Sequence, residues 1–284
     1  MKRGDRRGVA LIFVLWLLVL LGAIVAEVVS QARMEAEILS SLRSRTVARY
    51  SAESGILAAA VRIEALLDSA RSLPDRVTTF RELGARLAPL NDIALGSGRF
   101  GVAVVDLNAR LDLNRADAAT LQGLFRQFTT DRHAEQVVAS LKQAPLNRLG
   151  ELAHIPGIDD SLALAVAPYL TVWSDGAVNI NAAPEPVLAA LPGISSAMAR
   201  SAVRRRETGE LFMTPNDPFG QLGGPPEGAG AASAPAPRLS VVPSRLLIVG
   251  RGWQDGQPLT HEIQAVYAVV GTRLVLRAWQ ERDL

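Results

Sequence analysis

The sequence predicts an α+β protein in which a long N-terminal transmembrane and stalk helix packs on a small antiparallel sheet, with an all-α unit of helix-hairpin-helix type inserted into it. Three observations predict this. Gly8 to Ala26 carries no charged side chain and is long enough to cross a bilayer as a helix. Helix formers then run without proline to Pro74. A strand-like stretch, Arg99 to Leu107, is separated from the strand-like stretches at the C-terminal end by a long helical block, so pairing early with late strands leaves that block as an insertion.

Lys2, Arg3, Arg6 and Arg7 precede the apolar run against a single Asp5. The positive-inside bias puts this end in the cytoplasm, so the bulk of the chain is expected to be exported. Cutting after residue 8 removes a net +3, which leaves about −1 of the whole-chain +2. The sequence pI near 9.4 is therefore a topology signal and gives little support to phosphate binding. No cysteine is present, which excludes a disulfide framework and a thiolate metal site.

From Glu27 to about Ser72, apolar Ile38, Leu42, Ile56, Ile63 and Leu67 recur at near-helical spacing. One continuous helix running from the membrane to Pro74 would be roughly 90 Å long. Only its part beyond about Thr46 is apolar enough on one side to pack on a domain. Residues 74–98 read as loop and short helix. The letters GSGRFG from Gly96 precede a strand instead of following one, so they are not a dinucleotide site.

The block from about Asp112 to Thr214 contains an internal echo. LDLN with Leu113 and Asn114 aligns on VNIN with Ile180 and Asn181, each an extended piece that opens a helix. HIPGID and LPGIS place Pro156-Gly157 and Pro192-Gly193 as turns between helices, which is the helix-hairpin-helix pattern. Residues 216–239 are rich in glycine, proline and alanine and read as a surface loop. Arg245 to Val249, Leu259 to Val270 and Arg273 to Gln280 then form an antiparallel meander with turns at Asp255-Gly256 and Gly271-Thr272. The resulting units are residues 1–8 as leader, 9–29 as membrane helix, 30–73 as stalk, 74–110 with 240–284 as the α/β domain, 111–215 as the insertion and 216–239 as loop.

The junction Arg6-Arg7-Gly8 before the apolar run fits a secretory signal or a plain signal anchor, but it resembles most the type IV prepilin class of leader. That resemblance implies cleavage between Gly8 and Val9 by the prepilin peptidase, methylation of Val9 and retention of the apolar helix. Phe13 is then the fifth mature residue, where pilins and pseudopilins carry glutamate. A carboxylate in hydrocarbon needs a cation, and the family supplies it from the subunit ahead; Phe13 suits a subunit with nothing ahead of it. Arg49, Tyr50, Ala52, Glu53, Gly55 and Ile56 resemble the pattern of the pseudopilin stalk. In order, leader, stalk, inserted block with its echoes and late meander resemble the type II secretion system protein K family. The resemblance implies a minor pseudopilin, anchored in the bacterial inner membrane with its bulk in the periplasm, at the pseudopilus tip that works with minor pseudopilins I and J.

Catalysis has little to stand on: His133, His154 and His261 are isolated, and no HExxH or GxSxG pattern occurs. The residues imply no cofactor, and calcium enters only through the family resemblance. Asp106, Asp112 and Asp117 are candidate oxygen ligands that turn and cap chemistry explains equally, and Leu111 stands where a calcium loop starting at Asp106 needs glycine. The rival reading is an anchored periplasmic DNA receptor of the competence type, with Arg200, Arg204, Arg205 and Arg206 after the second hairpin. Nucleic acid is disfavoured because Asp159 and Ser195 replace the second glycine of a DNA-binding hairpin.

Overall fold

The computed structural model describes residues 6–143, 145–219 and 238–284, with side chains from residue 10 onward. Helix α1 (Arg6–Ser69) is continuous from the apolar segment through the stalk. Its first half meets no other part of the chain: Phe13, Trp16 and Leu17 are all exposed apolar side chains. Among the described residues it is the one helix long and apolar enough to cross a membrane. The call of the sequence for a leader cut falls in the first turns, where Gly8 and Val9 are helical and their side chains lie outside the described residues. Burial on α1 begins at Ser44 and Ala48 and then follows one stripe, Ala52, Ile56, Ala59, Ile63 and Leu67, at spacings of three and four.

The chain turns at Ser72, whose hydroxyl accepts from the Asp75 amide while Asp75 accepts from the Ser72 amide, a capping box that starts α2 (Leu73–Arg81). Short α3 (Leu83–Leu87) follows. Then come β1 (Ile93–Leu95) and β2 (Gly98–Asp106), the latter being the predicted early strand. The insertion holds β3 (Leu111–Asp112), α4 (Ala118–Phe125), α5 (Asp131–Leu141), α6 (Asp160–Val166), β4 (Leu170–Thr171), β5 (Val178–Asn179), α7 (Glu185–Ala189), α8 (Ser196–Glu207) and β6 (Leu239–Ser240). The chain closes with β7 (Arg245–Gln254), β8 (Thr260–Val270) and β9 (Arg273–Asp283).

The sheet runs β1-β2-β7-β8-β9, every pair antiparallel, so the early strand does pair with the late ones. Gly256 and Gly271, both at positive φ, make the two predicted meander turns. Helix α1 lies directly on the backbone of β7 where Gly250 and Gly252 place no side chain beneath it. A Cβ on Gly252 would stand 2.0 Å from the Ala48 carbonyl oxygen, and one on Gly250 would stand 2.6 Å from that of Ala52. Ile56, Ile63 and Leu67 meet Phe100, Val102, Leu246, Ile248 and Ile263 in the resulting core.

The insertion has its own core, around Leu121, Leu124, Phe125, Val137, Leu170, Ile180, Leu188 and Phe212. Its content corrects the all-helical expectation. Two short parallel pairs brace it, β3 with β4 and β5 with β6, which length alone hides because each strand has two residues. Leu239 and Val241 pack on the insertion's core, so the start of the C-terminal segment, expected in the α/β domain from residue 240, belongs structurally to the head. Of the Gly/Pro/Ala-rich loop, residues 220–237 lie outside the described residues.

Candidate functional site

The head is fixed to the sheet by a buried polar junction built on a repeated tetrapeptide. In VDLN, LDLN and VNIN the second residue's side chain accepts from the backbone amide of the final asparagine: Asp106 from Asn108 at 2.7 Å, Asp112 from Asn114 at 3.0 Å, Asn179 from Asn181 at 3.1 Å. Each is an Asx turn. The asparagine side chain, turned inward, then serves as a substitute β-bridge to a distant strand or loop. Asn114 exchanges both of its amide bonds with the Leu146 backbone, and Asn181 does the same with Phe212 while also donating to Val241. Asn108, fully buried, accepts from the Ser244 and Arg245 amides and donates to Asp175 and to the Ala177 carbonyl. The sequence echo contained the second and third copies; the first, VDLN at 105–108, was legible by the same alignment and was missed.

Asp106 ties the copies together by accepting from Asn179 Nδ2 at 2.7 Å. It lines a cavity of about 300 Å³ beneath α2 and α3, with Asn181 and Pro243 on the far wall. Burial pushes its carboxyl up to about 6 from the usual 3.8, against the opposing pull of the Asn179 and Asn108 bonds. At the membrane-facing end of the sheet Glu281 shows the opposite shift. The Arg49 guanidinium of α1, followed by Trp279 Nε1, holds it down to about 2. His261 faces Glu281 at 3.3 Å and Asp283 at 2.7 Å.

The signs of these two groups bracket an optimum. Glu281, lowered in the fold from 4.5, contributes stability above pH 4.5 that is lost as pH falls toward 2. Asp106, raised, contributes stability that is complete below 3.8 and lost as pH rises through about 6. Thermal melting of the full-length protein in detergent is therefore expected to be highest near pH 4, between the two unfolded values of 3.8 and 4.5. The fall from there toward neutrality should shrink in Asp106→Asn, even though that variant melts lower throughout because its amide nitrogen would face Asn179 Nδ2. An unchanged pH profile in the variant would refute the assignment.

The calcium candidates do not converge. Asp106 is occupied as described. Asp112 accepts from the Asn114 and Arg115 amides and from Ser174, and burial pushes its carboxyl up. Asp117 caps α4 through the Thr120 amide at 2.7 Å. Among the described residues no three acidic, histidine or cysteine side chains gather as a metal site, so these three aspartates do not fit a shared calcium ion.

Both hairpins have the predicted form: Gly157 and Gly193 lie at positive φ, followed by α6 and α8. His133 Nε2 bonds the Gly157 carbonyl at 2.6 Å. The residues in place of the second glycines are helix caps. Asp159 accepts from the Leu162 amide at 2.7 Å and Ser195 from the Met198 amide at 3.2 Å. One amide at the start of each following helix is thus taken by the chain itself. Three of the four arginines behind the second hairpin are also engaged: Arg200 with Glu185, Arg205 with Glu210, and Arg206 with the Ile180 carbonyl at 2.7 Å. Arg204 is exposed.

With this geometry described, comparison with known proteins is specific. Residues 178–241 match the family "Type II secretion system (T2SS), protein K". The matched segment contains the third tetrapeptide, the second hairpin with its cap, and β6. The chain is also similar in fold to a chain of the GspK-GspI-GspJ complex from the enterotoxigenic Escherichia coli type 2 secretion system, at a TM-score of 0.60 and 13% identity, covering 89% of this chain and 99% of that one. No curated protein matches. The family match covers 64 residues and the structural likeness, at 13% identity, shows the fold; both agree with the resemblance carried by the sequence.

Proposed function

We propose that this chain is a minor pseudopilin of type II secretion that caps the pseudopilus tip beside pseudopilins I and J and helps to start its assembly. The observation that carries the reading is the position of the head. About 140 residues leave the sheet after β2 and return at β7, adding a second core to one end of a helix whose other end is a bare apolar rod. Bulk of that size obstructs a subunit stacked above, and Phe13 leaves no buried acid asking for one. The similarity to a GspK chain in complex with GspI and GspJ supports the same partners here. The head stands in the periplasm, the basic N-terminal end in the cytoplasm, and the role is structural and without catalysis. Prepilin peptidase cuts between Gly8 and Val9 and methylates Val9.

Two readouts test this in one preparation. Full-length protein made in cells containing the peptidase should start at Val9 by intact mass. It should also co-purify with pseudopilins I and J of the same cell. An intact leader, or stable absence of I and J from the purified protein, would overturn the reading.

The DNA reading draws less support from the hairpins, where each cap side chain occupies one amide.

A further inference from the structure

On the sheet face opposite α1, the head leaves two adjoining cavities of about 560 and 690 Å³. Arg115, Arg245 and Arg277 line the first, Arg110 and Arg148 the second, and Trp173 forms a wall of both. Nine arginines among the described residues pair with carboxylates, including Arg282 in the second cavity, yet none of these five does. The acids in the same walls are committed: Asp112 to backbone amides and Ser174, Glu281 to Arg49 and Trp279. Arg277 is there because of a bulge. Ala278 pairs with Val266 and Leu276 with Tyr267, which leaves Arg277 as the extra residue of β9. Five arginines with no carboxylate partner within 4 Å among the described residues are thus gathered on one concave face.

We propose that this face docks an acidic segment of a partner polypeptide in extended form. Charge complementarity selects an anion, and the position selects its source. Arg277 lies on β9 between Glu281, which meets Arg49, and Arg273, which meets Glu64. At 1.5 Å per residue that level is at least ~30 Å along α1 from the apolar run, beyond the reach of lipid headgroups. Trp173 is packed on Leu107, Leu247 and Val266, which leaves its ring only partly exposed for the stacking that single-strand binding requires. Leu149, Leu247 and Trp279 beside Arg110 and Arg148 in the second cavity suit a peptide that alternates acidic and apolar side chains. The proposal holds whether or not the chain caps a filament.

The test uses the full-length protein in detergent and a labelled peptide alternating glutamate and leucine, read by fluorescence anisotropy. Binding should weaken steadily with added salt. Arg245→Glu with Arg277→Glu should lower affinity by about tenfold or more, Arg115→Gln with Arg148→Gln should lower it in the same direction, and Arg204→Glu should leave it unchanged. Should the glutamate pair unfold the protein, the glutamine pair decides. Retained binding in a folded variant overturns the proposal. So does tighter binding of a single-stranded oligonucleotide through the same arginines, or complete displacement of the peptide by an equal concentration of inorganic phosphate.

Discussion

Gly252→Ala should destabilise the full-length protein by roughly 3 kcal/mol or more in urea unfolding, near or beyond the upper range for an overpacked core. The added methyl would stand 2.0 Å from the Ala48 carbonyl oxygen and 2.4 Å from the Ala52 amide nitrogen. Both are backbone atoms of α1, which cannot swing aside as a side chain can; the helix must lift from the sheet. Lifting it opens the contacts of Ile56 and Ile63 with Phe100 and Ile248 and loosens the pairing of Arg49 with Glu281. Gly84→Ala is the control, because a Cβ there meets nothing within 4 Å and the residue lies in α3. A change within about 0.5 kcal/mol is expected for it. Equal effects for the two glycines would show that α1 does not rest on the backbone of β7.

Asn108→Ala is expected to cost about 3–5 kcal/mol, since it strands several buried partners at once and each unmet group costs about 1–3 kcal/mol. The Ser244 and Arg245 amides lose their acceptor, and Asp175 and the Ala177 carbonyl lose their donor. The loss should be uneven. The head core around Phe125 and Leu188 and the sheet core around Ile56 and Ile248 share no residue, so the variant should part them before either melts. Hydrogen exchange would show it as early exchange of the β7 start and the 175–177 turn with both cores still protected. Uniform loss of protection would mean that the junction is no separate unit.

The membrane helix, the stalk, the inserted topology and the hairpins were legible because each rests on local pattern: apolar length, 3.6-residue spacing, Pro-Gly turns and Asp-Gly turns. What was not legible depends on distant pairs. Gly250 and Gly252 look like ordinary interruptions of a strand until α1 is known to lie over them. The strand pairs β3-β4 and β5-β6 have two residues on each side and no period to detect. The aspartates that looked like oxygen ligands alternate in the sequence because Asx turns repeat, and their oxygens point to their own backbone amides. The five arginines are scattered between residues 110 and 277 and share a face only after the head has folded over the sheet.

Asp106 and Leu246 are opposite members of one ladder between β2 and β7, so the two ends of the head lie about 5 Å apart. Everything between them could be exchanged for a tight turn, and the two strands would still meet as an uninterrupted hairpin on the same helix. The shaft is thus a complete small fold in its own right, carrying the head as cargo.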